Sequence, residues 1–146
     1  MAYSGSGAKR KQEEKNLKLL RELAALLPNK HCFDCGQRGP TYVNMTIGSF
    51  CCTACSGILR GLNPPHRVKS ISMATFTSEE VEFIRNRGND ECRKVWLGLY
   101  DGEVRFLDGM RDDQQIKDHL IKKYERKQWY VSPAEIAHQA KLMAQH

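Results

Sequence analysis

Residues 31–60 read HCFDCGQRGPTYVNMTIGSFCCTACSGILR and hold five of the chain's six cysteines. Four of them, Cys32, Cys35, Cys52 and Cys55, are spaced Cys-x2-Cys-x16-Cys-x2-Cys, inside the window of four-thiolate zinc sites. A Cys-x2-Cys knuckle lets two sulfurs converge on one ion, and two knuckles complete a tetrahedron. Four thiolates leave no open position, so the pattern predicts one structural zinc ion and not a hydrolytic one. A redox pair or unrelated buried thiols are the competing readings. Cys51 is an alternative third ligand, but it would make the second pair Cys-x3-Cys and would face the other side of an extended segment. Those two points favour Cys52. His31 and His66 flank the module, and neither is needed once four cysteines are counted. Because such a site forms on folding, zinc removal is expected to unfold much of residues 30–73.

Working outward, GPTYVNMTIGSFC mixes turn formers with β-branched and aromatic residues. It predicts two short strands, with Gly48 near a turn or bulge. A short helix containing Ile58, Leu59 and Leu62 follows, stopped by Asn63-Pro64-Pro65, and HRVKSISM reads as a strand. Upstream, residues 1–8 are small and flexible in composition. Leu17, Leu20, Leu23 and Leu27 then recur at helical spacing from Lys9 to Leu27, where Pro28 ends the run. Downstream, Thr77 with Glu80 forms a capping-box pattern, and Phe76 with Val81 is spaced as a hydrophobic staple. Gly88 suits a helix end and Asn89 the next helix start. Cys92, Val95, Trp96 and Leu99 mark one apolar stripe, and Ile116, Leu120 and Tyr124 another. Ser132-Pro133-Ala134-Glu135 opens a last helix ahead of Ile136, Ala140 and Met143. The fold class is α+β: a small zinc-ribbon and short-strand core surrounded by about five or six helices. The organisation reads as a flexible start (1–8), one zinc-finger domain (9–131) and a C-terminal helix (132–146).

At 146 residues the chain suits one domain with a modest core. No apolar run approaches the ~18 residues of a membrane span. The start MAYSGSGAKRKQEEK lacks a secretory apolar region, which points to the cytoplasm or nucleus, where clustered cysteines bind metal more often than they form disulfides. The net charge of +6 is uneven, with the cysteine region in a basic half and an acidic segment over residues 74–113. That balance admits an anionic partner. The apolar CSGILRGL offers no recognition helix rich in Arg, Asn and Gln, which argues against specific nucleic-acid binding. No Gly-x4-Gly-Lys-Ser/Thr loop is present, so the chain does not itself read as a nucleotide hydrolase.

CFDCGQRGPTYVNMTIGSFCCTACSGILRGL, then RVKS, GNDECRKVW and IKKYERKQWYV, together resemble the zinc-finger domain of Arf GTPase-activating proteins. The resemblance runs from about Asn16 to Val131. Within that family the segment NPPHRVKSISM is most similar to the subfamily with phenylalanine-glycine repeats, the nucleoporin-like, Rev-interacting proteins. The resemblance implies that Arg60, five residues after the last zinc cysteine, is an arginine finger supplied to an Arf-family GTPase in its GTP state. Tyr42, Arg67 and Lys69 would lie on the contact face. It implies a setting in vesicle trafficking or nucleocytoplasmic transport, with adaptors from those systems as further partners and a cytoplasmic, nuclear or vesicle-associated location. Several positions depart from the family pattern. Tyr42 and Phe76 stand where tryptophan is usual, Leu59 where histidine usually precedes the arginine, Ala74 in place of a common aspartate, and Arg93 in place of an asparagine. These departures keep open a second reading, a noncatalytic interaction module that uses the same face.

Overall fold

The two cysteine knuckles and a small antiparallel sheet form the centre of the computed structural model, which describes residues 2–100 and 112–145. The strands are β1 (Tyr42–Asn44), β2 (Ser49–Cys51) and β3 (Val68–Ser70), in the order β2-β1-β3. Tyr42 lies opposite Cys51 on one side and Ser70 on the other, and Val43 lies between Phe50 and Lys69. The predicted ribbon is therefore present, and Gly48 sits in its turn with φ 87°. A Cβ there would come within 2.5 Å of the Arg87 Cβ, so only glycine fits.

Successive strand residues face opposite ways, and this divides the apolar residues into two clusters. Val43 and Phe50 join Leu20, Ile71, Phe76, Val81 and Ile84 on one face. Cys51 joins the four knuckle cysteines, Leu59, Leu120 and Tyr124 on the other, with Tyr42 packed at its margin. Six helices surround the sheet in the described residues: α1 (Ala2–Ala24), α2 (Thr53–Arg60), α3 (Ser78–Arg85), α4 (Gly88–Trp96), α5 (Asp113–Leu120) and α6 (Pro133–Ala144). No helix among them is long and apolar enough to cross a membrane.

Helix α1 starts earlier than the reading of Lys9–Leu27 and also stops earlier. Leu26 turns extended ahead of Pro28, which has no N–H with which to continue a helix. Leu27 therefore leaves the apolar stripe and is exposed, while Leu20 is fully buried. Helix α3 has both halves of the expected capping box between Thr77 and Glu80, and Phe76 and Val81 are both buried beside it. Ser132 accepts from the Glu135 amide at the start of α6.

Two expectations along α4 change. The helix ends at Trp96, because the Val95 carbonyl is taken by the Val131 amide at 2.7 Å. The stripe accordingly closes on buried Leu97, and Leu99 is exposed. Asn89 is not a cap. Its side chain accepts from the Phe50 amide and donates to the His31 carbonyl, each at 2.8 Å, while its own amide donates to Asn29 Oδ1 at 2.8 Å. Asn29 in turn donates to the Leu23 carbonyl. This pair of asparagines fastens α1, β2 and the first knuckle to α4. Asn89→Ala strands a buried amide and a carbonyl, and is expected to cost about 3 kcal/mol. A lower denaturation midpoint with an unchanged slope is the check.

The stripe Ile116, Leu120 and Tyr124 is buried as expected. Beyond Leu120 the helix widens into a single π turn, Ile121–Glu125. Helix α6 buries none of its residues fully, and Met143, predicted on its apolar stripe, is exposed.

Candidate functional site

The Sγ atoms of Cys32, Cys35, Cys52 and Cys55 all lie within 4.8 Å of one another, and all four residues are buried. Sulfurs at 2.3 Å from a tetrahedral zinc stand about 3.8 Å apart, and Cys35 Sγ is 3.6 Å from Cys52 Sγ. The donor set and its spacing fit zinc. Hydrogen bonds among the thiols push Cys52 and Cys35 below the ordinary thiol value and Cys55 and Cys32 above it. One divalent cation suits four thiolates held this close. Bound there, zinc supplies rigidity and no open coordination position.

Each knuckle also receives a main-chain donor. The Asp34 amide donates to Cys32 Sγ and the Cys55 amide to Cys52 Sγ, both at 3.4 Å. The second of these bonds caps α2, whose N-cap is Cys52. The structure also resolves the choice at positions 51 and 52. Cys51 is the last residue of β2, lies outside the sulfur cluster, and has its thiol pushed up by burial. Of the flanking histidines, His31 is exposed. His66 is buried, within 3.0 Å of Asn44 Nδ2 through its Nδ1, and edge-on to Tyr124. Burial holds its pKa below the usual histidine value. Cys92 is a core residue that donates to the Ile47 carbonyl, and burial pushes its thiol up to about 12.

Helix α2 leads from the zinc ligands to Arg60, its last residue. Arg60 is exposed and forms no ion pair among the described residues. Its Cζ lies 5.9 Å from the Tyr42 ring centroid, within cation–π range. The structure thus brings Arg60 and Tyr42 together on the zinc face of the sheet.

Arg67 and Lys69 form a second pair, around Glu80. Lys69 Nζ donates to Glu80 Oε1 at 2.9 Å and to the Thr75 carbonyl, and lies over the Phe76 ring. Arg67 is largely exposed, with its guanidinium 4.0 Å from Glu80. Strand register explains the split: Lys69 pairs with Val43, whose side chain faces away from the zinc cluster. Burial pushes the Glu80 carboxyl up, but the Thr77 amide and Lys69 outweigh it and hold the group below the usual carboxylate value. A carboxyl depressed on folding adds stability above its unfolded-state pKa and loses it as pH falls through the folded value. The stability difference between the parent chain and Glu80→Gln is expected to be full at neutral pH and to fade below about pH 4. Denaturant titrations at several pH values measure it.

Two of the departures lie inside the fold. Leu59 is fully buried in the zinc-side cluster and Phe76 is buried in the other, while Ala74 is half-buried against that second cluster. Tyr42 is the one of these four whose side chain lies under the Arg60 guanidinium; Leu59, next to Arg60 in the chain, turns inward.

The sequence reading missed a buried triad behind the first knuckle. Lys123 Nζ and the Tyr124 hydroxyl both donate to Asp34 Oδ1, at 2.9 and 2.5 Å. An aspartate between two zinc ligands was the visible signal; its partners lie 89 and 90 residues away.

With this geometry in place, comparison with known proteins gives one family. Residues 17–133 match the family model "ArfGap: Putative GTPase activating protein for Arf". Human "Arf-GAP domain and FG repeat-containing protein 1" is 59% identical over 139 residues, which is 95% of this chain and 24% of that protein. Human "Arf-GAP domain and FG repeat-containing protein 2" is 60% identical over 108 residues, 74% of this chain and 22% of that protein. The chain thus spans about a quarter of the length of these curated relatives. The solved structure titled "ArfGap domain of HIV-1 Rev binding protein" superimposes with a TM-score of 0.80 at 59% identity, covering 88% of this chain and 97% of that one. The cysteine spacing, the closed four-sulfur site and these matches agree: the chain belongs to the ArfGap family.

Proposed function

We propose that this domain accelerates GTP hydrolysis by an Arf-family GTPase, with Arg60 as the finger it supplies. The observation that carries the reading is the placement of Arg60. It is exposed, without an ion-pair partner among the described residues, and one helix length from two zinc ligands. A guanidinium held on so short and stiff a base can enter a partner's site with little ordering cost. There it neutralises charge developing on the transferred phosphoryl oxygens. Tyr42 supports the guanidinium and shares the contact face. Arg67 adds an exposed cation to the docking surface, and Lys69 steadies β3 from the opposite side of the sheet.

The burial of Leu59 and Phe76 supports the catalytic reading over the noncatalytic one, since substitutions at these two positions change packing and not the exposed surface. The catalytic unit of this proposal is residues 9–131. Helix α6 follows as an appended segment, in keeping with its lack of fully buried residues. Cytoplasmic or nuclear action beside trafficking or nuclear-transport adaptors is the proposed wider setting. Single-turnover hydrolysis on a panel of GTP-loaded Arf proteins, parent chain against Arg60→Lys, tests the function. Binding without acceleration on any member would leave the noncatalytic module as the answer.

A further inference from the structure

Lys123 carries a fully buried side chain in the π turn, and neither the sulfur cluster nor the arginine face uses it. Its ammonium donates to Asp34 Oδ1 at 2.9 Å and to the Phe33 carbonyl at 3.3 Å, and lies 3.7 Å from the Phe33 ring centroid. A buried ion pair by itself is weak evidence even for stability. The place where this pair lands is what points to the metal. Phe33 and Asp34 are the two spacer residues between Cys32 and Cys35, so one lysine grips both. The contact continues to a ligand, because the Asp34 amide donates to Cys32 Sγ.

The two knuckles also differ in what holds them. Cys52 and Cys55 are ordered by α2, whose first turn supplies its own N–H to sulfur. Cys32 and Cys35 lie in a turn with no helix of their own, closed only by short bonds such as the Cys32 amide to the Gln37 carbonyl and the Gly36 amide to the Cys32 carbonyl, so a contact from outside has more to fix there. We propose that Lys123 is a positioning residue for the zinc centre, acting through Asp34 on the Cys32–Cys35 knuckle. The helical half of the domain then tunes the metal affinity of a finger 89 residues upstream. The inference concerns the metal alone and does not depend on Arg60 being a finger.

The test uses the whole chain with zinc and with cobalt as a spectroscopic substitute. Lys123→Met is expected to weaken zinc binding about 10–100-fold in competition with a chromophoric chelator. The d–d and thiolate charge-transfer bands of the cobalt-loaded variant are expected to change, because the first knuckle loses its fixed geometry. The neutral pair Asp34→Asn/Lys123→Met removes the stranded charge. It is expected to recover the thermal transition while keeping the altered cobalt spectrum and the weaker affinity. A pair that merely holds the fold would move stability and leave the spectrum of the loaded protein alone. Zinc affinity within about twofold of the parent, or a parent-like cobalt spectrum, in either variant overturns the proposal. Where the single variant fails to fold, the neutral pair decides.

Discussion

Arg60→Lys is expected to abolish most of the acceleration of Arf GTP hydrolysis, a loss of about 10³–10⁵-fold in the single-turnover rate. Lysine keeps the charge, so long-range steering toward the GTPase is unchanged and affinity for the GTP-bound partner should move by no more than a few-fold. It loses the planar fork of donors that reaches two phosphoryl oxygens at once. The substitution sits at an exposed helix end, so the thermal transition should stay where it was. Loss of rate with binding and melting unchanged identifies a group that acts in the transition state. Acceleration by the substituted chain equal to the parent's would remove Arg60 from the mechanism, whatever the family.

Removal of zinc has the largest expected effect on the fold itself. Structural zinc sites contribute about 10–16 kcal/mol of apparent binding energy at neutral pH, as much as a domain's entire net stability of about 5–15 kcal/mol. Here the ion would tie β2, α2 and the first knuckle into one cluster, whose buried members include all four ligands, Leu59 and Leu62. Chelation is therefore expected to melt much of residues 30–73, with loss of far-UV circular dichroism and of the cooperative transition. Cys55→Ser should reproduce much of this, because it opens the tetrahedron and strips α2 of its anchor. Helices α1 and α3 should loosen with the finger, because the opposite cluster they pack on draws Val43, Phe50 and Ile71 from the same residues. An unchanged spectrum and transition after zinc removal has been verified by metal analysis would contradict this account.

Placing the zinc and its ligands required no tertiary information. A knuckle is a local device, and its two spacer residues bring both sulfurs within reach of one ion. The caps at Thr77 and Ser132 were legible for the same reason, since a side chain three residues from an amide reaches it without help. Helix ends were less so. Leu27 and Leu99 continue a helical period on paper, but Pro28 in one case and the Val131–Val95 bond in the other end the helix before them. Local spacing also suggested a cap for Asn89, whose hydrogen bonds reach partners 39, 58 and 60 residues away.

The site divides along the same line. The sequence by itself determined three of the zinc ligands and favoured Cys52 over Cys51 as the fourth, and it pointed to a closed metal centre and, through resemblance, to Arg60. Only the tertiary structure could show Arg60 over Tyr42, Lys69 turned to Glu80, Leu59 inside the core, and Lys123 on the first knuckle. The reason is reach. Knuckles and caps act over three or four residues and are written in order along the chain. Strand register and the burial of a charge depend on which distant elements pack together, and that is settled only when the sheet and helices close on one another.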